Sequence, residues 1–201
     1  MILFSVRFSA PDREVLKLTA KKLSFSAIFI CFAAALSALE TMLPPIVPIP
    51  GVRVGLGNIV TMFLLYIGGG WRALDALVVI ILRCLLAALI VGSPMSAIYG
   101  LAGGAASWIA MLCCRAFLPK DGNTKRPDER YLPFTAVGGA VFHIGGQMTC
   151  AVLLYGTKYV LAYTPILLAS AIIGGLFTGF LTMLILKKFP EKLLKNIRNL
   201  G

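Results

Sequence analysis

Residues 73–91 read ALDALVVIILRCLLAALIV. With no proline or glycine, this stretch suits a helix of about 28 Å, close to the roughly 30 Å of a bilayer's hydrocarbon core. Apart from Asp75 in its first turn and Arg83 near its centre, every residue is apolar. A helix on the surface of a soluble protein shows one apolar stripe, whereas this one is apolar on all sides. An ionisable side chain at the middle of a span is unfavourable by several kcal/mol unless it meets a partner or water, so Arg83 needs a reason to be there.

The same pattern repeats on either side. Charges, prolines and glycines delimit spans at about 23–43, 54–70, 73–91, 95–118, 132–155 and 163–186. They leave an N-terminal tail at 1–22, a polar loop at 119–130 (PKDGNTKRPDER) and a basic tail at 187–201. The expected fold class is therefore all-α, a polytopic membrane protein of six transmembrane helices. Composition agrees: 59% of the 201 residues are hydrophobic and 13% charged, with mean hydropathy +0.90. A soluble domain carries about 25% charged residues. Six spans in this length leave no room for a separate soluble catalytic domain.

The net charge of +11 is explained by topology. All 19 Lys and Arg except Arg53, Arg83 and Lys158 fall in the two tails, at Arg72 or around the 119–130 loop. With an even number of spans these segments share one side, and the positive-inside rule makes that side cytoplasmic. The expected location is a bacterial cytoplasmic membrane with both termini inside, the bilayer is the expected environment, and no nucleic-acid partner is needed. The N-terminal tail lacks the pattern of a cleavable signal peptide. Cys31, Cys84, Cys113, Cys114 and Cys150 all sit in apolar stretches without a CxxC pair, and read as small membrane-embedded hydrophobes; no metal or other cofactor is expected.

Polar residues inside the spans are the candidate site. Arg83 reads either as half of a structural ion pair, with Glu40 tying spans one and three, or as an anion clamp in a cavity. His143 and Gln147, in AVFHIGGQMTC (140–150), are four apart and share a helical face. The segment 44–59, PPIVPIPGVRVGLGNI, carries Arg53 and enters the second span through Gly55, Gly57 and Asn58. Irregular backbone at membrane depth is tolerated only where protein or a cavity surrounds it, so this loop reads as a stiff cap over a polar cavity or as an ordinary hairpin. Asp75 reads as a helix N-terminal charge near Arg72. Small residues four apart, at Ala34/Ala38, Gly100/Gly104 and Gly175/Gly179, permit close helix packing, and Ala34/Ala38 could instead face outward to dock a partner helix. Phosphoryl and prenyl transfer have no candidate site: the eight acids form no DDxxD cluster, and there is no Walker A loop.

The runs GVRVGLGNIVTMFLLYIGG (51–69), LRCLLAALIVGSPMSAIYGLAGGAAS (82–107) and GGAVFHIGGQMTCAVLL (138–154) resemble a bacterial membrane family labelled heptaprenyl diphosphate synthase component I, or Gx transporter family. The resemblance extends from about residue 23 to 186. That family looks like the substrate-binding S components of energy-coupling-factor (ECF) vitamin transporters. The resemblance implies a site toward the outer face capped by the loop after helix one, and the prolyl loop, the Gly55-Leu56-Gly57-Asn58 entrance and the His143/Gln147 face fall where such a site would be. Together with the charged residues singled out above, the candidate substrate-binding residues are Asn58, Arg83, His143, Gln147, Arg53 and Glu40. The resemblance also implies that Ala34 and Ala38 dock a coupling subunit, and that separate ATPases drive uptake of a small molecule; an anionic or isoprenoid-like one would suit Arg53 and Arg83. No thiamine, riboflavin or biotin signature carries over. The alternatives are a non-catalytic membrane subunit linked to polyprenyl diphosphate synthesis, and a stand-alone secondary transporter.

Overall fold

Several helices in this chain stop beside a proline or a glycine. The computed structural model describes residues 10–42, 55–68, 71–118 and 129–200. Among them lie α1 (Ala10–Met42), α2 (Asn58–Ile67), α3 (Ala73–Val91), α4 (Pro94–Phe117), α5 (Leu132–Tyr155), α6 (Thr157–Lys188) and α7 (Glu191–Arg198), with a 3-10 turn at Glu129–Tyr131. α3 ends on Gly92 at φ +69°, whose amide turns back to the Ala88 and Leu89 carbonyls. Pro94 then opens α4, at a position where the missing amide is not needed. The proline loop at 44–54, with Arg53, lies outside the described residues.

Among the described residues, five helices are long and apolar enough to cross a membrane: Leu18–Met42 within α1, α3, α4, α5, and Thr164–Lys188 within α6. The second crossing differs from the expected 54–70 helix. α2 has ten residues, about 15 Å of helix, or half a hydrocarbon core. All ten are buried. Asn58, its first residue, lies beside Arg83 and His143, which are near the midpoints of α3 and α5. From that depth the chain runs to Trp71, whose ring meets the Lys22 ammonium at 5.3 Å. A half-length helix is stable here because the longer helices surround it.

The bundle is apolar outside and encloses a set of polar residues within a largely apolar core. Leu82, Leu89, Ile90, Phe142, Leu153, Ile173 and Phe177 are exposed, while Ser37, Asn58, Thr61, Arg83, His143, Gln147 and Thr182 are buried. In lipid, burying leucine offers little driving force, so helices associate through close packing and internal hydrogen bonds. α5 packs along both α4 and α6. A Cβ added at Gly179 would stand 2.7 Å from Ala136 Cβ and from Pro133 Cα, and one at Gly175 would stand 2.8 Å from Val137 Cα. Gly146 abuts the Ala102 carbonyl of α4 in the same way, while Gly145 faces open space. Of the two glycines flanking the His143–Gln147 face, then, only Gly146 serves helix approach.

Ala34 and Ala38, expected as a docking stripe, are 1% and 5% exposed. They face the bundle's own interior, where α1 packs on α3. Their small size lets α1 come close to this chain's own helices, so they present no face to a partner.

One end of the bundle gathers charge. Lys22 pairs with Asp75 at 2.9 Å, and the Arg72 amide donates to Asp75 at 2.7 Å, as suits an acid in a first helical turn. The Trp71 indole N–H donates to the Ile197 carbonyl at 2.9 Å, which fastens α7 beneath the same end.

Replacing Gly179 with Ala should lower stability by about 1–3 kcal/mol, the usual range for overpacking. Gly145→Ala should be neutral or raise it by up to ~1 kcal/mol through helix propensity. Thermal unfolding of the detergent-solubilised protein checks both, and equal losses would contradict the α5–α6 contact.

Candidate functional site

Arg83 is 3% exposed and stands at the centre of the bundle. Its Nη1 donates to Ser37 Oγ on α1 at 2.9 Å, and its Nη2 donates to Asn58 Oδ1 at the start of α2 at 2.7 Å. Its Nε–H is buried and meets no hydrogen-bond partner. A Cβ at Gly57 would collide with the Arg83 guanidinium and would stand 2.5 Å from Ser37 Oγ. Glycine is therefore required at 57 for the guanidinium to lie against the backbone.

The polar contacts continue from Asn58. Its Nδ2 is 3.4 Å from His143 Nδ1, and His143 Nε2 is 2.9 Å from Gln147 Nε2. The direction of these bonds follows from Arg83, because a guanidinium only donates. Asn58 must turn its oxygen to Arg83 and its NH2 to His143. His143 Nδ1 is then an acceptor, and the proton of the neutral ring sits on Nε2. Gln147 then presents its carbonyl oxygen to that proton, since a half-turn of the side-chain amide exchanges its oxygen and nitrogen. The result is one chain of donors: Arg83 to Asn58, Asn58 to His143, His143 to Gln147. Gly103 of α4 backs the imidazole, since a Cβ there would lie 2.8 Å from His143 Cε1.

Glu40 sits beside this chain. Its Oε1 accepts the Gly55 amide at 2.6 Å and its Oε2 accepts the Leu56 amide at 2.8 Å. The carboxylate thus ties α1 to the turn before α2, where Gly55 holds φ +95°. The link expected between spans one and three does exist, but its hydrogen bond runs from Arg83 to Ser37.

Ser37, Glu40, Gly55, Arg83, Cys84, Gly100 and His143 line a cavity with about 10 Å³ of free space, roughly the room one water needs. The structure thus brings Asn58, Arg83, His143 and Gln147 into one network and sets Glu40 on the wall of the same cavity. Arg53 lies outside the described residues. The sequence reading missed Ser37 and Gly103. Ser37 had a signal, since it lies three residues before Glu40 and so on the same helical face.

An apolar helical bundle with a buried polar network defines a multi-pass membrane protein. Residues 29–185 match the family model described as Heptaprenyl diphosphate synthase component I, and the chain belongs to that family. The matched region contains every residue of the network. No curated protein and no solved structure matches the chain.

Gly57→Ala should displace the guanidinium and lower the unfolding midpoint, by about 1–3 kcal/mol of stability. The bond directions predict a neutral His143 protonated at Nε2, so 15N NMR of the histidine-labelled protein should show a pyrrole-type Nε2 and a pyridine-type Nδ1.

Proposed function

We propose that the chain is the membrane-embedded substrate-binding subunit of an energy-coupled uptake transporter, similar in organisation to ECF S components. The observation that carries this reading is the Arg83–Asn58–His143–Gln147 network around a cavity inside an apolar bundle. Ionisable and polar groups held at this depth mark substrate paths in membrane proteins. Short helices that begin inside the membrane, as α2 does, recur at transporter binding sites. In this reading Asn58, Arg83, His143 and Gln147 hold the small molecule, and the turn tied down by Glu40 forms the wall that moves to admit it. Arg53, on the segment before that turn, would meet the ligand on its way in.

The distribution of basic residues supports a bacterial cytoplasmic membrane with both termini inside. Lys22, Arg72 and α7 gather at one end of the bundle, which would be the cytoplasmic one. Energy for release would come from separate ATPases acting through a coupling subunit. Because Ala34 and Ala38 are buried in the bundle, that subunit would meet other residues.

A second reading follows from the family description: a non-catalytic membrane subunit associated with heptaprenyl diphosphate synthesis. Affinity purification of the tagged chain from its own membrane separates the readings. Recovery of an ATPase pair with a membrane coupling protein is the expected result. Recovery of a soluble prenyl synthase instead would establish the second reading. Uptake by proteoliposomes holding this chain alone would replace both with a stand-alone secondary transporter.

A further inference from the structure

We infer that the cavity beside Arg83 receives an oxyanion, a carboxylate or phosphate borne by the ligand, which binds the free Nε–H edge of the guanidinium. The inference rests on reading this network as the binding site, and it names the chemical class of what binds there.

Arg83 keeps its charge at any physiological pH. Its two hydrogen bonds go to neutral groups, Ser37 Oγ and Asn58 Oδ1, and use two of its five N–H donors. The Nε–H is buried without a partner. A buried donor left unmade is unfavourable and calls for an explanation. The Nε–H and a neighbouring Nη–H point the same way in one plane, which matches two oxygens of a carboxylate or phosphate.

One feature of the surroundings favours negative charge at this point. α2 begins here, and a helix N-terminus carries partial positive charge. Helices that begin at mid-depth in membrane transporters aim that end at anionic substrate groups. Glu40 lines the same cavity, but each of its oxygens accepts a backbone amide, Gly55 or Leu56. The small side chains of Cys84 and Gly100 complete the wall. The free space of about 10 Å³ suits a water, so an oxyanion enters as the Gly55–Leu56 turn moves away from Arg83.

The competing account is that Glu40 neutralises Arg83 across the cavity and nothing else is needed. Asn58→Asp separates the two, because it places a carboxylate where Asn58 Oδ1 now lies, 2.7 Å from Nη2. The full chain, purified in an uncharged detergent, is titrated with sodium acetate and with inorganic phosphate at constant ionic strength. Unfolding midpoints and the 15N-arginine Nε–H signal of Arg83, assigned by its absence in Arg83→Lys, are followed.

The wild type should show a saturable rise in midpoint and a shift of the Nε–H signal with the same half-saturation, with no response to glycerol. Arg83→Gln should weaken the response at least tenfold. Asn58→Asp, whose carboxylate takes the place of the anion beside Arg83, should lose the response. An equal anion response in Arg83→Gln, or a wild-type Nε–H signal that does not move as the anion saturates, overturns the inference. If Arg83→Gln does not fold, Asn58→Asp and the wild-type Nε–H signal decide. A shift caused by phosphatidylglycerol in phosphatidylcholine vesicles, and not by soluble phosphate, supports the oxyanion site with a lipid as its source. A neutral molecule retained equally by wild type and Arg83→Gln overturns the oxyanion while leaving the binding-subunit reading intact. Anion binding by a chain that recruits no ATPases overturns the transporter reading and leaves the site.

Discussion

One buried guanidinium organises this molecule. A guanidinium is a permanent cation in proteins, and that of Arg83 is buried at the centre of the bundle. The bundle supplies what it can: a hydroxyl from α1, an amide oxygen from α2, and a glycine that lets the group lie against the backbone. Because Arg83 only donates, it also sets the direction of the bonds through Asn58, His143 and Gln147, and so the tautomer of the imidazole. A charge on α3 thus determines a proton position on α5.

The rest of the architecture serves close approach. Helices surrounded by lipid gain little from burying leucine, so contact distance decides which faces meet. Gly175 and Gly179 bring α6 against α5, Gly146 brings α5 against α4, and Ala34 and Ala38 bring α1 into the bundle. The half-length α2 fits into the space these contacts leave, and its start at mid-depth places irregular backbone among polar side chains. Glu40 stabilises that backbone by accepting two of its amides.

Much of the site was legible as sequence because polar residues in apolar runs stand out. Arg83, His143, Gln147 and Asn58 were visible that way, and the i, i+4 spacing put His143 and Gln147 together. Ser37 and Gly103 were not visible, because serine and glycine are ordinary residues in membrane helices. Their importance appears only when a guanidinium or an imidazole from another helix lies against them. The pairing of Glu40 was also out of reach, since its partners are backbone amides brought near by the turn at Gly55.

The sequence alone determined that the chain is an apolar helical bundle, where its long helices lie, and that Arg83 demands compensation. Those conclusions need only local length, hydropathy and charge. Tertiary structure alone decided that α2 is a half-length helix, that the Ala34/Ala38 stripe faces inward, and that the Arg83 Nε–H is left without a partner in a residue that lines a cavity. Each of these depends on which faces meet in space. Periodicity within one helix cannot specify that, because in lipid several faces of a helix are apolar enough to point either way.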